Sequence, residues 1–414
     1  MKRIYLSLLP CLASLLASAQ EPLNGDSLAS DFRYLVKELA ATHPDPYSGF
    51  GGKVFFYEQA FHLENELRRT PGTKQTFFDK VSIFLSNLQD GHTYLLPPTA
   101  NQQANQRYLA LEVRTIPDGI ILQGIPEPYK DLLGSRITTI NGDSLEEVLA
   151  RTAAIQASEN LYDRYANLCR SMPTEHFLRQ LFPEMKDNLH LSLLTPDGKS
   201  RGLTLPLLSR QEVQNTPMQH NNSWKAYTDK QLAYQFIDND KQIMLININS
   251  IMARDNFEYM QKQGLKDLYR QIGFYYRDIL KQEMPADTLL AIRQLPSLSE
   301  VFAHMLKEMK KEASSTLIID LRNNSGGWTP IVLPTLYQLF GDHFLQTDMD
   351  IEFYRIISPL YMQKLQTNLQ DFNQAYGTDY AYGDYTFSTD EADTTNIEQR
   401  RTSSRTVYPV CRKN

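Results

Sequence analysis

The chain has 414 residues, of which 42% are hydrophobic and 22% are charged, and its formal net charge is -6. This composition is typical of globular proteins and is long enough for two or three domains. The Lys and Arg residues are scattered along the chain, whereas nucleic-acid-binding surfaces need them clustered. We therefore expect no nucleic-acid partner.

Residues 1–19, MKRIYLSLLPCLASLLASA, have the three parts of a secretory signal peptide. A Lys-Arg pair starts the chain, an apolar run covers residues 4–16, and Ala-Ser-Ala at 17–19 fits a small-x-small cleavage site. The alternative is a membrane anchor, but the apolar run is short for a bilayer. Pro10 before Cys11 argues against a lipoprotein signal. We expect an exported protein, periplasmic or extracellular, without a membrane span once the signal is removed.

Two cysteines then remain, Cys169 and Cys411. They can form one disulfide in an oxidising compartment, but they do not have the spacing of a metal site. The histidines also lack a paired spacing such as His-x-x-x-His. The sequence therefore predicts no metal and no other cofactor.

Residues 20–100 are predicted to form an N-terminal helical unit. Apolar residues recur at helical spacing over 26–41, 54–69 and 75–88. Asp26 or Ser27 is the expected N-cap of the first helix, since both side chains can accept from the first turn. The unit ends in LQDGHTYLLPP, where a helix gives way to a turn and a short strand.

Residues 105–210 are predicted to form a small β-rich domain with a helical extension. Strands are expected within 108–116, 119–125 and 135–145, with a tight turn at Asn141-Gly142. A helix is expected to begin at Leu145, and residues 155–182 have helical character. Residues 189–208 are predicted to form a hairpin with Pro-Asp-Gly at its tip.

After a predicted polar linker at 209–230, residues 232–414 have the pattern of an α/β core. QIMLININSI, residues 242–251, and STLIIDLR, residues 315–322, are expected to be buried strands, because continuous apolar runs mark strands covered on both faces. Helices are expected over 298–312 and 329–340. This order of strand, helix, strand and helix predicts a layered α/β arrangement.

The second of these strands runs directly into a glycine turn, in LIIDLRNNSGGWTP, residues 317–330. Gly326 and Gly327 allow the backbone to turn tightly and to approach another group closely. Thr329 can cap the following helix, and Pro330 suits its first turn. Free N–H groups and the helix dipole favour negative charge at such a place. A phosphate loop would need a Gly-Lys-Ser/Thr ending, so the remaining interpretations are an oxyanion hole and a simple strand-to-helix turn.

LIIDLRNNSGG resembles the Asp-Leu-Arg-x-Asn-x-Gly-Gly signature of the tail-specific, or C-terminal processing, serine proteases. LQDGHTYLL, residues 88–96, resembles the Asp-Gly-His-Thr segment upstream in that family, particularly in its branch similar to the tricorn core protease. LLGSRITTINGDSLEEVL, residues 132–149, resembles the end of the PDZ-type domain between these two motifs. The resemblance implies a ββα core of the crotonase or ClpP type, incomplete at the C-terminus, preceded by a helical unit and a PDZ-like domain.

The resemblance also implies roles for individual residues. His92 would be the general base that takes a proton from a serine hydroxyl, with Asp90 supporting its motif. The structural alternative for His92 is a capping histidine at a helix–strand junction. Gly326 or Gly327 would donate an oxyanion-hole N–H, and Asp320 and Arg322 would hold the turn in shape. The PDZ-like domain would bind a peptide terminus as an added strand.

The nucleophile of this resemblance is not evident. Ser325 occupies a variable position of the signature, so we do not assign it, and Ser388 in TFSTD is a weak candidate because we expect it in a polar loop that no buried strand precedes. RTVYPVCRKN, residues 405–414, resembles the strand before the family's nucleophilic serine, which would therefore lie beyond residue 414 together with the acid or lysine that completes the site. The chain is then either part of a serine peptidase acting on peptides or proteins, or an inactive peptide- or lipid-binding homologue. A module that binds partners through residues 105–210 alone is a third interpretation, and the sequence predicts no oligomeric state.

Overall fold

The computed structural model describes residues 23–70, 72–96, 98, 106–221, 230–262, 264, 267–347 and 352–389. The chain divides into two compact units, the first comprising Met1–Asn222 with Tyr354–Thr386 and the second Ser223–Phe353 with Phe387–Asn414. Within the described residues, no helix combines the length and apolarity needed to span a membrane. The predicted signal peptide, Cys411 and the predicted strand at 405–414 all lie outside the described residues.

The first unit begins with the three predicted helices, which the structure confirms. They are α1 (Gly25–Thr42), α2 (Lys53–Arg69) and α3 (Lys74–Ser86). The predicted N-cap of α1 is wrong, because the helix starts earlier and Asn24 Oδ1 accepts from the Asp26 N–H at 2.8 Å. Buried aromatic rings hold the three helices together, including Phe32 and Phe84, whose centroids lie 5.1 Å apart edge to face.

A seven-stranded sheet with antiparallel pairings follows in the same unit, with the order β1-β2-β3-β5-β6. Its main strands are β1 (Glu112–Ile116), β2 (Gly119–Pro126), β3 (Arg136–Ile140), β4 (Asp143–Ser144), β5 (Asn188–Leu194) and β6 (Ser200–Pro206). The strand, tight-turn and hairpin predictions are confirmed. Asn141 and Gly142 both have positive φ, 51° and 91°, which is the geometry of a two-residue turn between antiparallel strands.

Three helices accompany this sheet and share one apolar core with it. They are α4 (Leu145–Ile155), α5 (Leu161–Ser171) and α6 (Glu175–Leu181). Ser144 and Glu147 form the capping box of α4, which stabilises the start of the helix at the predicted Leu145. The predicted helical stretch 155–182 is broken after α5, where Pro173 cannot continue a helix.

The predicted linker at 209–230 is wrong over its first half. Residues Arg210–Asn215 form α7, and Met218–His220 form β7, which pairs antiparallel with β2. The polar composition of this stretch gave no indication of either element. The Ser209–Glu212 capping box stabilises α7, and backbone pairing with β2 stabilises β7. Backbone pairing of this kind requires no apolar side chains.

The first unit is completed by a segment from much later in the chain. It spans Tyr354–Thr386 and contains α14 (Pro359–Leu365) and α15 (Leu369–Tyr376). The paired strands β11 (Glu352–Ile356) and β12 (Tyr385–Thr389) flank these helices and extend past the two ends of the segment. The Tyr385 hydroxyl donates to the Pro44 carbonyl oxygen at 2.7 Å. This bond ties the segment to the loop after α1, a long-range contact that no local sequence pattern indicated.

The second unit is built on a three-stranded sheet with the order β10-β9-β8. Its strands are β8 (Leu232–Phe236), β9 (Ile243–Ile248) and β10 (Thr316–Asp320). β9 pairs antiparallel with β8 and parallel with β10, in the register that places Asp320 opposite Asn247. The parallel pair joined through helices confirms the predicted α/β character of this region.

Helices occupy the long connection between β9 and β10 and also follow β10. They are α8 (Arg254–Lys262), α9 (Leu268–Phe274), α10 (Thr288–Gln294), α11 (Leu298–Glu312), α12 (Leu333–Phe340) and α13 (Asp342–Gln346). The prediction of α11 is confirmed with identical bounds, and its Phe302 and Met305 join the core of β9. The predicted helix 329–340 starts with one 3-10 turn at Thr329–Val332.

Burial distinguishes the two strands that the sequence predicted to be alike. β9 is buried along nearly its whole length, as predicted. β10 is not, since Ile318 and Ile319 are 39% and 43% exposed. Within the described residues β10 pairs on one side only, so it forms an edge whose apolar side chains remain accessible. Apolar composition makes burial of a strand favourable, but the neighbouring elements determine whether the strand is actually buried.

Candidate functional site

The Asp-Gly-His-Thr segment follows α3 and forms a turn that the Asp90 carboxylate organises. Asp90 Oδ1 accepts from the His92 backbone N–H at 2.9 Å, and Oδ2 accepts from the Thr93 hydroxyl. The His43 ring Nε2 lies 3.2 Å from the same Oδ2. Since His43 caps the C-terminal end of α1, one carboxylate closes the turn and ties it to the first helix.

These donors keep Asp90 ionised. Partial burial raises the pKa of Asp90, but hydrogen bonds from the Thr93 hydroxyl, the His92 N–H and the His43 ring together outweigh burial and leave the pKa below its ordinary value. An acid whose two oxygens already face donors of its own turn is well suited to shaping the backbone. This geometry fits the supporting role that the sequence analysis gave to Asp90.

His92 extends from this turn, and its side chain is 91% exposed. Its ring Nδ1 lies 3.1 Å from Glu159 Oε1 and 3.9 Å from Asp90 Oδ1. The Gly91 N–H donates to the same Glu159 oxygen at 3.1 Å. The imidazole is therefore held at one nitrogen by a carboxylate, while its other nitrogen belongs to a ring almost wholly accessible to solvent.

Sequence reasoning missed two members of this cluster, Glu159 and His43. Glu159 is 67 positions away from His92, and it lies just before Asn160, the N-cap of α5. The cap itself has a local signal, since Asn160 accepts from the Asp163 N–H at 3.0 Å. The approach of Glu159 to His92 has none, because it depends on how the helices and the sheet pack.

The glycine turn of the second unit starts from an ion pair at the end of β10. Arg322 donates to both oxygens of Asp320, from Nε at 2.9 Å and from the terminal nitrogen at 2.7 Å. The Arg322 backbone N–H also donates to Asp320 Oδ1 at 3.1 Å. The Asp320 side chain is 4% exposed and that of Arg322 is 32% exposed. This bidentate ion pair joins residues only two positions apart, so it bends the backbone out of the strand. The geometry fits the shaping role predicted for Asp320 and Arg322.

Asn324 continues the turn by connecting it to β9. Its side-chain Nδ2 donates to the Ile248 carbonyl at 2.9 Å, and its Oδ1 accepts from the Gly326 N–H at 2.7 Å. The Ser325 N–H donates to the Asn249 carbonyl at 3.1 Å. The Gly326 N–H is thus engaged inside the turn, and the asparagine of the motif has a structural explanation.

Gly327 approaches the chain beyond β9 too closely for any side chain. It forms a parallel bridge with Ile251, in which the Ile251 N–H donates to the Gly326 carbonyl and the Trp328 N–H to the Ile251 carbonyl. A Cβ on Gly327 would lie 2.3 Å from the Ile251 oxygen, and φ is +144°. The Gly327 N–H itself donates to no acceptor among the described residues, so it is the amide of this turn that can serve a ligand.

The two serines considered as nucleophiles lie in different surroundings. Ser325 sits inside the turn, where its backbone is bonded to Asn249. Ser388 falls within β12, so the prediction of a polar loop is wrong there, because β12 pairs with β11. Neither Ser325 nor Ser388 is assigned as the nucleophile.

One group of side chains in the described part of the chain has the spacing of metal ligands. Asp90, His92 and Glu159 each offer an atom, and these atoms lie within 4.8 Å of one another. Two carboxylates and one imidazole suit a divalent transition metal, although all three side chains are at least partly exposed and His92 Nδ1 already contacts Glu159 Oε1 at 3.1 Å. The sequence prediction of no metal stays a prediction.

The sequence matches no protein-family model and no curated protein. Among solved structures the chain is similar to mature CPAF, with 14% identity and a TM-score of 0.49 over 93% of this chain and 71% of that one. It is also similar to mature CPAF complexed with lactacystin, with 14% identity and a TM-score of 0.48 over 93% of this chain and 72% of that one.

Proposed function

We propose that this chain is a serine-type peptidase that resembles the tail-specific proteases and acts on peptides or unfolded proteins. The observation that carries the proposal is the arrangement of His92. An exposed imidazole is held at Nδ1 by a carboxylate, in a turn built around Asp90. This is the relation between a general base and its orienting acid in nucleophilic catalysis.

The proposed role of His92 follows from which of its two ring nitrogens carries the proton. A carboxylate can only accept hydrogen bonds, so the contact with Glu159 places a proton on Nδ1 of the neutral ring. Nε2 then carries the lone pair and faces solvent. In the reaction, Nε2 would take the proton of a serine hydroxyl as the hydroxyl oxygen attacks a peptide carbonyl, and would later give that proton to the leaving amine.

The glycine turn of the second unit is proposed separately, on its own geometry, as a place for negative charge of the oxyanion-hole type. Gly327 is the better donor of the two glycines, because the Gly326 N–H is bonded to Asn324 whereas the Gly327 N–H has no acceptor in the described residues. A donor held by rigid backbone costs little reorganisation when charge develops. Asp320 and Arg322 would contribute by fixing the turn.

The proposal is tested by assaying cleavage of an unstructured protein such as casein, and of fluorogenic peptides, by the protein isolated from its source cells and by recombinant variants. We expect His92→Ala to lower kcat/KM by about 10²-fold or more without changing the circular dichroism spectrum. His62→Ala is the matched control, since His62 is an exposed histidine on α2. Unchanged turnover in His92→Ala would refute the general-base assignment.

The nucleophile is identified in the same preparations. A fluorophosphonate probe modifies an activated serine, and mass spectrometry of the labelled peptide locates it. We expect labelling that depends on His92. A protein that is neither labelled nor active, but that binds peptides or apolar ligands, would favour the inactive binding homologue instead. We further propose export, which intact mass measurement of the native protein tests through the loss of residues 1–19.

A further inference from the structure

Glu159 is the carboxylate that the turn around Asp90 does not use. Asp90 directs its two oxygens to the His92 N–H, the Thr93 hydroxyl and the His43 ring. Its Oδ1 is 3.9 Å from His92 Nδ1, beyond hydrogen-bonding distance. Glu159 Oε1 is 3.1 Å from that nitrogen. Of the two acids near the ring, Glu159 is therefore the one that orients it.

The loop that carries Glu159 is held in place by buried groups. The Asn167 side chain on α5 donates to the Ala157 carbonyl at 3.0 Å and to the Ser158 hydroxyl at 3.1 Å. Both Asn167 and Ser158 are buried. The Glu159 N–H donates to Asp163 Oδ2 at 3.2 Å. These bonds fix the chain that leads up to Glu159, so its carboxylate is positioned before any substrate binds.

The turn and this loop also approach each other closely at Gly91. Its N–H donates to Glu159 Oε1 at 3.1 Å, and a Cβ there would lie 3.2 Å from Asp163 Oδ2 and 3.3 Å from Glu159 Oε1. One oxygen of Glu159 thus accepts from the backbone of the turn and from the ring that the turn presents. The glycine of the motif allows this approach.

We propose that Glu159 is the positioning residue of His92, selecting the tautomer with the proton on Nδ1 and leaving Nε2 as the basic atom. The catalytic part of this statement rests on the proposed function, whereas the tautomer does not. Glu159 lies at the start of α5, beside the β-rich domain. The acid that orients the base would therefore come from the segment that leads into α5.

Nuclear magnetic resonance of the full chain with ¹⁵N-labelled histidine tests the tautomer directly. The ring signals of His92 are assigned by their disappearance in His92→Gln, and EDTA keeps metal ions off the ring. We expect the wild type to show the Nδ1–H tautomer. Glu159→Ala should shift the ring to the Nε2–H form that free imidazole side chains prefer, while Glu159→Gln, which retains a carbonyl acceptor, should keep part of the Nδ1–H form.

The matched control is Glu146→Ala, which removes an exposed carboxylate from the first turn of α4 and should leave the His92 signals unchanged. An Nε2–H tautomer in the wild type, or signals that Glu159→Ala does not change, would overturn the proposal. These outcomes are independent of any peptidase activity, so they are distinguishable from a failure of the proposed function.

Kinetics then test the catalytic part. In the active protein, Glu159→Ala should lower kcat by at least about tenfold with KM nearly unchanged, since the residue acts on the base and not on substrate binding. A purely structural role would instead lower the thermal midpoint and the active fraction together. Full kcat in a Glu159→Ala protein whose tautomer has changed would overturn the positioning role.

Discussion

Replacing Gly327 by alanine tests the close approach between the glycine turn and the chain that follows β9. The added Cβ would lie 2.3 Å from the Ile251 carbonyl oxygen and 2.5 Å from its carbon. Both atoms belong to backbone that is fixed on either side by the bridge hydrogen bonds of Ile251. Neither can move away without breaking those bonds, so the substitution must distort the turn.

The expected cost combines two effects. A non-glycine residue at φ +144° is strained by roughly 1–3 kcal/mol, and overpacking against fixed atoms costs about 1–3 kcal/mol more. Gly326→Ala separates them, because Gly326 also has positive φ, +86°, but nothing lies within 4 Å of its would-be Cβ. We therefore expect Gly327→Ala to be less stable than Gly326→Ala by about 1–3 kcal/mol.

Urea unfolding followed by tryptophan fluorescence measures this difference. The chain contains two tryptophans, so a Trp224→Phe background leaves Trp328 as the reporter, next to the substituted glycine. The Trp328 ring lies 4.7 Å from that of Tyr259, so its emission should respond when the turn unfolds. Equal transition midpoints for the two alanine variants would refute the close approach and its energetic consequence.

Two further predictions concern ionised side chains. The hydrogen bond that the His176 ring donates to the Asp79 carboxylate raises the pKa of His176 despite partial burial. The stabilisation from this contact is therefore full below about pH 6.5 and is lost as pH rises through the raised pKa. The thermal midpoint of the wild type should therefore exceed that of Asp79→Asn most at about pH 6 and least at about pH 9, and a constant difference would contradict the assignment. Arg322→Lys keeps the charge but loses the bidentate hydrogen bond to Asp320. We therefore expect the free energy of unfolding in the same urea assay to fall by about 1–3 kcal/mol. An unchanged midpoint would show that the bidentate bond does not stabilise the turn.

The candidate site was predictable where one short segment contains the information. Asp90 and His92 are two positions apart in one motif, and Asp320, Arg322 and the two glycines fall within a stretch of eight residues, 320–327. Their local geometry therefore follows from side-chain and backbone chemistry. Glu159 was not predictable, because the residue that faces His92 is chosen by the packing of α5. The sequence also did not show which of the two glycines has an N–H available for a ligand, since this depends on the hydrogen bond from the Gly326 N–H to Asn324 Oδ1.

The sequence by itself determined the periodic elements and the turns. The helices α1 to α4 and α11, the hairpin of β5 and β6 and the turn at Asn141-Gly142 follow from apolar spacing, caps and residues tolerant of positive φ. These signals are local because the hydrogen bonds that satisfy them are made within a few residues. The polar stretch at 209–220 was missed, since its strand depends on a partner distant in sequence.

The tertiary structure alone decided burial and partnership. β9 and β10 have similar apolar composition, yet β9 lies between two strands while β10 forms an edge in the described residues, with Ile318 and Ile319 exposed. Likewise, the Glu159 carboxylate contacts His92 only because the helical part and the β-rich part of the first unit pack together. Long-range contacts follow from how whole surfaces fit, and no short stretch of sequence encodes that fit.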